Sequence, residues 1–427
     1  MAEAVTVGAT LRAGWPILVI PSAIYFVSHF HRIALGVVAQ DLMRAFTITA
    51  ATLGALAAIY PYVFVAMALV AGSLADTLGP RRTLGAGALA MGLGALVFGL
   101  APSFSVVVLG RLVVSIGASV ILIAFLTLAA ERFRTDDFAT ISGLTQTVGN
   151  LGGLAAAGPL ALLVEAIGWR ASFEAIGAVT VALAVVAVLG VPERRDSTPR
   201  TVSRSVRDVV VGIPGIVLNP GTWPPVLAGA GMYSTVIALQ GLWGVSYLTQ
   251  VHGLPRVQAA ADIAWMAVGV MVGAPLVGRI SDRWLGARRP PFLAFSALGA
   301  ACWLPLVVPA LEPPIAWLPA VFFLLGFSSS GLILVWPCVR EVNDPTRVGV
   351  VVGFCNIPMF LFVALMQWLT GLALDAAWTG LETAGTRVYS ATAYRAAFGL
   401  CLAVAVGAVA LAACITETRC RNVWRVE

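Results

Sequence analysis

Long apolar runs separated by short polar breaks occupy almost all of this 427-residue chain. An α-helix rises about 1.5 Å per residue and the hydrocarbon core of a bilayer is about 30 Å thick, so roughly 20 apolar residues can cross it. Twelve runs have a suitable length. We predict membrane-spanning helices over residues 15–38, 50–73, 83–100, 103–130, 138–164, 170–191, 222–249, 257–279, 290–309, 314–338, 347–374 and 392–415.

Composition supports the same class. Hydrophobic residues make up 59% of the chain and charged residues only 11%, which is outside the range of soluble domains and predicts an all-α membrane protein. The start of the chain has one arginine and no small-residue cleavage site before the first apolar run, so we expect an uncleaved span. The six cysteines show no paired spacing, and we expect neither a disulfide framework nor a zinc site.

One polar break, at residues 192–219, is much longer than the others and contains five arginines. It divides the chain into a predicted N-terminal six-helix bundle (1–191), a linker (192–219) and a C-terminal six-helix bundle (220–427). All 26 basic residues are arginine, and placing both termini in the cytoplasm puts 19 of them inside and five outside. The positive-inside rule therefore predicts cytoplasmic termini and a cytoplasmic linker, in the cell inner membrane.

The two halves repeat each other at matching places. The turn after the second span reads GSLADTLGPRR (72–82), and the turn after the eighth reads GRISDRWLGARR (278–289). Likewise, the sixth span opens with GWRASF (168–173) and the twelfth with AYRAAF (393–398). Repeated membrane bundles bind their substrate between the repeats, so we expect two pseudo-symmetric halves with a central site.

The first of these turns is similar to the loop signature of the major facilitator superfamily, G-x-L-x-D-x-x-G-x-[RK]. Resemblance to this family covers essentially the whole chain, and it implies a secondary transporter with twelve helices in two six-helix bundles that works by alternating access. It also implies a conformational latch at the two turns, made of Gly72, Asp76, Gly79, Arg81, Asp282 and Arg283. Thr77 and Pro80 depart from the pattern, because basic residues are frequent at both positions.

Arg32 is the anomaly of the first span, because it lies about 13 Å inside the end of the predicted helix. A charge at that depth costs a few kcal/mol, so such arginines normally face a bundle interior or a water-filled path. At about 100° per residue, Tyr25, His29 and Arg32 share one face, whereas His31 points roughly 120° away. We predict that this face binds solute and that His29 carries a proton, since imidazole titrates near neutral pH. Pairing of Arg32 with a carboxylate or a helix end is the alternative.

The second deep charge is Arg111 in the fourth span, where Ser115 and Gly117 follow in a pattern similar to the family's R-x-x-x-G-x-G. Arg111 could bind an anion, couple to a proton-carrying group, or tie the fourth helix to the first. Seven uncharged residues are further candidates for lining a cavity, although each could equally form an interhelical hydrogen bond. They are Gln146, Asn150, Gln240, Trp243, Tyr247, Asn356 and Gln367.

The charge balance of the spans indicates the kind of solute. Two deep arginines, with acidic residues only toward the ends of spans, favour an anion that supplies the missing countercharge. The first span also resembles the anion-transporting branches of the superfamily, which implies an organic anion bearing a carboxylate or phosphate. We predict proton symport of such a solute by a monomer in the lipid bilayer, without cofactor, metal or nucleic acid. No HExxH, GxSxG or P-loop motif supports an enzyme.

Three alternatives stay open. The 12 tryptophans and 19 phenylalanines are also typical of an exporter of drugs or amphipathic metabolites. A transporter of metals or metal chelates would use His29 and His31, although two residues of helix make their side chains diverge. A receptor on the same scaffold would bind its solute without moving it.

Overall fold

The computed structural model describes residues 2–68, 70–133, 135–190, 213–383 and 385–424. Across these ranges the chain is helical apart from its connections and one small hairpin. In the hairpin Glu382 pairs with Arg387 and Thr383 pairs with Thr386, in the connection between the last two long helices. The prediction of an all-α membrane protein is confirmed.

The described part of the first sequence half consists of α1 (Ala2–Ile33), α2 (Ala39–Phe46), α3 (Ala50–Met67), α4 (Val70–Leu78), α5 (Pro80–Gly99), α6 (Phe104–Arg132), α7 (Thr135–Ala155) and α8 (Gly158–Gly190). A 3-10 turn at Ala34–Gly36 follows α1, so the first span is broken two residues after Arg32. The break allows a close approach, since a Cβ added to Gly36 would lie 3.0 Å from the backbone of Gly241.

Helix α8 contains parts of two crossings. Gly168 has φ +81°, a conformation that only glycine adopts without strain, and it divides the helix. Eleven stretches of the described residues are long and apolar enough to span a membrane, and the longest, Gly143–Gly190, has 48 residues. A helical length of about 70 Å is more than twice the thickness of the hydrocarbon core. Residues 158–167 therefore complete the fifth crossing and residues 169–190 form the sixth.

The described part of the second half consists of α9 (Trp223–Ala238), α10 (Gly244–His252), α11 (Arg256–Arg279), α12 (Arg289–Val307), α13 (Leu318–Ser329), α14 (Val335–Val342), α15 (Val348–Ala376) and α16 (Ala391–Ala413). Three crossings contain irregular turns. π-helical turns lie at Leu239–Trp243, between α9 and α10, and at Ile280–Leu285, after α11. A 3-10 stretch at Ser330–Leu334 separates α13 from α14.

Contacts group the chain into two compact units, Met1–Arg32 with Ala66–Ser203, and Ile33–Val65 with Arg204–Glu427. The segment 33–65 thus packs with the second half of the sequence. The predicted boundaries at 191 and 220 describe the sequence halves and stay a prediction. Most of the predicted linker, residues 192–212, lies outside the described residues.

Small residues allow the helices of each unit to pack closely. In the first unit α5 contacts α6, where a Cβ on Gly117 would lie 2.3 Å from the carbonyl oxygen of Gly87. In the second unit α11 contacts α13, where a Cβ on Gly326 would lie 1.9 Å from the carbonyl oxygen of Met266. Such contacts give helices in lipid the dispersion energy that the hydrophobic effect does not supply there.

Candidate functional site

Three of the predicted site residues meet in the first unit, between α1 and α7. The hydroxyl of Tyr25 donates to Gln146 Oε1 at 2.9 Å and lies 3.4 Å from His29 Nε2. The Tyr25 and His29 rings, four residues apart on α1, have centroids 4.4 Å apart. The helical spacing therefore placed these two residues on one face, and the structure adds Gln146 opposite them. We call these three residues the Tyr25 cluster.

Arg32 and Asn150 continue this arrangement along the two helices. Arg32 lies in the last turn of α1 and is half-buried, and Asn150 is half-buried one turn beyond Gln146 on α7. Arg32 acts electrostatically on His29, one turn before it. The first unit thus has a cation next to the hydrogen-bonding groups of the Tyr25 cluster.

Arg111 donates a hydrogen bond to the C-terminal end of α1. Its side chain is buried, with 4% of the residue exposed, and Nη1 donates to the carbonyl oxygen of His31 at 2.8 Å. That carbonyl is among the last four of α1, which lack partners within the helix, and a cation is favourable at a helix C-terminus. This contact matches the interhelical role that the sequence left open for Arg111, and a direct role in solute binding stays a prediction.

His31 lies on the other side of α1, as its predicted direction requires. It is buried between Phe30 and Phe173, with ring centroids 5.8 Å and 6.2 Å away. Its surroundings are therefore those of a packed side chain.

In the second unit the π-helical turn changes the predicted stripe of Gln240, Trp243 and Tyr247. An i→i+5 turn contains an extra residue, so i, i+3 and i+7 no longer share one face. Gln240 is half-buried, whereas Trp243 is 1% exposed and its Nε1 donates to Thr370 Oγ1 at 2.8 Å. Tyr247 is buried too, and its hydroxyl lies 3.0 Å from His252 Nε2. Trp243 and Tyr247 thus occupy the packed interior of this unit.

Asn356 and Gln367 occupy different levels of α15. Asn356 is half-buried and its Nδ2 donates to the carbonyl oxygen of Val352, one turn earlier, at 3.1 Å. Gln367 is buried where α15 crosses α3, because a Cβ on Gly54 would lie 2.4 Å from the Gln367 carbonyl oxygen. Eleven residues of helix separate their backbones by about 16 Å, and their role in solute binding stays a prediction.

The predicted latch residues of the second half, Asp282 and Arg283, lie in the π-helical turn after α11, and their role as a latch stays a prediction. Arg283 is exposed, and the ion-pair partner of Asp282 is Arg288. The pairing of Asp282 with Arg288 has a local cause, because Gly286 takes φ +54° after the π-helical turn and the chain reverses its direction there. Arg288 is 5% exposed, and its Nη2 lies 2.7 Å from Glu341 Oε1.

Two carboxylates that sequence reasoning missed complete this site. Glu341, at the end of α14, is 2% exposed and also accepts the hydroxyl of Thr418. Glu417 accepts the backbone N–H groups of Arg288 at 3.0 Å and of Arg289 at 2.9 Å. The charged stretch TETR (416–419) after the last span was a signal for Glu417, but nothing marked Glu341 except its position at a helix end. We call Asp282, Arg288, Glu341 and Glu417 the Arg288 cluster.

Hydrogen bonds within this cluster shift the pKa values of Arg288 and Glu417. Burial alone would lower the pKa of Arg288, but hydrogen bonds to Glu341 and Asp282 outweigh burial and raise this pKa above its ordinary value. Burial alone would raise the pKa of Glu417, but bonds from the backbone N–H groups of Arg288 and the residues around it hold this pKa below its ordinary value. Both groups are therefore charged at neutral pH.

The first-half turn is described only in part. Gly79 has φ +79° and opens α5, and Thr83 Oγ1 donates to the carbonyl oxygens of Leu74 at 3.2 Å and Gly79 at 2.9 Å. Arg81 is half-buried. The surroundings of Gly72 and the side chain of Asp76 lie outside the described residues, so the latch role of Asp76 stays a prediction.

A second ionic site, which the sequence did not indicate, lies at the other end of α15. The Asp375 carboxylate accepts the backbone N–H groups of Ala50 at 3.2 Å and Ala51 at 2.8 Å, which begin α3. It also accepts the Tyr389 hydroxyl at 2.6 Å and pairs with Arg387 at 3.2 Å. We call these five residues the Asp375 cluster.

A separate ion pair also joins the two sequence halves within this unit. Arg256, at the start of α11, lies 2.9 Å from the carboxylate of Asp41 in α2. The neighbouring Gln40 donates to Thr249 Oγ1. Residues 33–65 are thus held to the second half by charged and polar side chains as well as by close backbone packing.

Comparison with known proteins agrees with this architecture. The profile of the Major Facilitator Superfamily matches residues 22–366. A solved bacterial homologue of the human lysosomal transporter Spinster, in an inward-facing and occupied conformation, has a TM-score of 0.78 at 17% identity, covering 93% of this chain and 95% of its own. This likeness shows the fold.

Curated relatives are somewhat more similar in sequence over the residues that they match. The probable sulfoacetate transporter SauU of Cupriavidus necator is 25% identical over 281 residues, which are 62% of this chain and 64% of that protein. The membrane sensor protein UhpC of Salmonella typhimurium is 23% identical over 386 residues, 83% of this chain and 84% of its own. The lincomycin resistance protein of Streptomyces lincolnensis is 34% identical over 134 residues, 31% and 27% of the two chains. With the profile match spanning most of its length, this chain belongs to the Major Facilitator Superfamily of multi-pass membrane transporters.

Proposed function

We propose that this transporter moves a small organic anion, bearing a carboxylate or phosphate-like group, across the cell inner membrane together with protons. Both termini are placed in the cytoplasm by the arginine distribution. The observation that carries the proposal is Arg32, one turn beyond the Tyr25 cluster on the same helix. A guanidinium offers two parallel N–H donors to a carboxylate or phosphate, and neutral donors beside it can complete the anion's shell.

The relatives add independent support. Sulfoacetate, named for the Cupriavidus necator relative, carries two anionic groups and few other atoms. The sensor protein of Salmonella typhimurium favours a second candidate function, because it matches 83% of this chain and is named as a sensor. A sensor binds its solute without net movement, so measurement of flux separates the two functions.

The proposal is tested first by a thermal-shift screen of the purified protein. The anionic probes are sulfoacetate, succinate and glycerol 3-phosphate, and the amine probes are ethanolamine and lincomycin. We expect a saturable rise in the unfolding temperature with at least one anion and none with the amines. Stabilisation by an amine alone would contradict the proposal and favour the exporter.

Flux is measured next as uptake of the stabilising anion into proteoliposomes. Uptake that accelerates under an inward proton gradient is the expected result for a symporter. Saturable binding without uptake would instead identify a sensor. Orientation is tested in cells with Ser197→Cys in a background without the native cysteines, which an impermeant reagent should label only from the cytoplasmic side.

The latch at the first-half turn is part of the same proposal. Asp76→Asn removes a carboxylate of the predicted latch and leaves the proposed solute site unaltered, so we expect slower flux with anion binding largely unchanged. Equal losses of binding and flux would contradict a latch.

A further inference from the structure

We infer that α7 positions the ring pair of Tyr25 and His29 through two of its residues, Gly149 and Gln146. The inference rests on the proposed function, because it assigns these residues a role only through the solute- and proton-binding face of α1. Gln146 and Gly149 are three residues apart and thus share a face of α7, opposite two α1 residues four apart. Gln146 holds Tyr25 by a hydrogen bond, and Gly149 leaves room for both rings because it has no side chain.

Gly149 gives the two rings their space. A Cβ at this position would lie 2.9 Å from Tyr25 Cε1 and 3.0 Å from both Cδ2 and Nε2 of His29. Carbon atoms in favourable contact are about 3.5–4.0 Å apart, so a methyl group here overlaps both rings at once. The overlap falls on side chains, which can rotate, and a larger residue therefore displaces the rings.

The rings have little room to move elsewhere without losing contacts. Tyr25 is 2% exposed, and its ring also lies nearly parallel to that of Phe125 of α6, at a centroid distance of 6.3 Å. Gln146 fixes the hydroxyl end of the same ring at 2.9 Å. Displacement of Tyr25 must therefore also change the 3.4 Å separation between its hydroxyl and His29 Nε2.

Two other glycines of α7 provide matched controls. A Cβ on Gly152 would lie 2.2 Å from the carbonyl oxygen of Phe26, so alanine there pushes on the α1 backbone. A Cβ on Gly143 meets nothing within 4 Å. Gly143→Ala therefore reports the effect of helix propensity alone, and Gly152→Ala reports the effect of separating α7 from α1. Gly149→Ala reports the effect of displacing the two rings, in addition to the effect of helix propensity.

The experiment uses the small number of histidines. The chain has three, so protein labelled with ¹³C at the histidine Cε1 gives three side-chain NMR signals, which single substitutions assign. We expect Gly149→Ala to move the His29 signal and Gly143→Ala to leave it in place. An unmoved His29 signal in folded Gly149→Ala would overturn the inference.

A double-mutant cycle covers the case in which Gly149→Ala does not fold. Gln146→Leu should move the His29 signal in the parent protein but not in a Tyr25→Phe background, since the hydrogen bond is already absent there. Equal displacements in both backgrounds would show that Gln146 does not act through Tyr25. The NMR readout needs no solute, so a parent protein that binds no anion contradicts the proposed function and leaves this test intact.

Discussion

The Asp375 and Arg288 clusters lie near opposite ends of α15 and use the same kind of chemistry for different connections. Asp375 is in the last turn of α15, whereas Glu341 precedes the start of this helix by seven residues. The Asp375 cluster ties the first turn of α3, from the first sequence half, to the second half. The Arg288 cluster joins only second-half segments: the turn after α11, the end of α14 and the chain after α16.

We expect this difference to separate a contact that breaks during transport from one that persists. Members of this family expose their binding site first to one side of the membrane and then to the other, by rocking one repeat against the other. Contacts between the halves at one end of the protein must therefore open in part of the cycle. The Asp375 cluster makes such a contact. Its carboxylate accepts hydrogen bonds from N–H groups at the start of α3, which have no partner within the helix, and it is favourable next to the positive end of the helix dipole. The Arg288 cluster can persist through the cycle and is expected to act on folding.

The largest expected effect is on stability, at the Arg288 cluster. Glu341→Gln leaves the buried Arg288 guanidinium without its main countercharge, and breaking a buried pair in this way costs about 3–5 kcal/mol. We expect a corresponding fall in the free energy of unfolding in detergent. Glu312→Gln, in the more exposed pair with Arg395, is the control and should cost about 1 kcal/mol or less. Equal losses in the two variants would contradict the role of the Arg288 cluster in folding stability.

A smaller effect, on conformation, is expected at the Asp375 cluster. Asp375→Asn weakens the pair with Arg387 and the bonds to α3, at a cost of about 1–3 kcal/mol, which should favour separation of this end. Leu53→Cys, at a buried position of α3, serves as the probe. Its alkylation should be about tenfold faster or more in the Asp375→Asn protein.

The control for this measurement is Glu382→Gln, which changes an exposed residue of the nearby hairpin. An unchanged alkylation rate combined with a large loss of folding stability would mean that Asp375 is structural. The comparison with the Arg288 cluster would then fail.

The smallest expected effect is the pH dependence contributed by Glu417. Its native pKa is held below the ordinary value near 4.5, so the stabilisation is present at neutral pH and is lost as pH falls through the native pKa. Glu417→Gln should therefore lower the unfolding temperature by a few degrees at pH 7, with the difference shrinking below pH 4.5. Glu165→Gln, at an exposed site, should show no such trend. A difference that stays constant with pH would show that the charge is not involved.

Sequence patterns predicted what depends on local periodicity. Apolar run length gave the crossings, and the 100° rotation per residue placed Tyr25 and His29 together. The π-helical turn that buries Trp243 was not predictable in this way, because it is a departure from that rotation. Asp375 was missed for a different reason: its partners at Ala50 and Ala51 are more than 300 residues away, and only the packed fold brings them together.

The central claim, that Arg32 binds the anionic group of the solute, is tested most directly by equilibrium binding of the anion that gives the largest thermal shift. Arg32→Gln removes both the positive charge and the two parallel N–H donors, and it should abolish saturable binding. Arg32→Lys keeps the charge but loses the paired donors, and it should weaken binding by roughly 1–2 kcal/mol, about tenfold or more. Arg44→Gln, at an exposed position of α2, should bind like the parent. Folded Arg32→Gln that binds the anion as tightly as the parent would contradict the account.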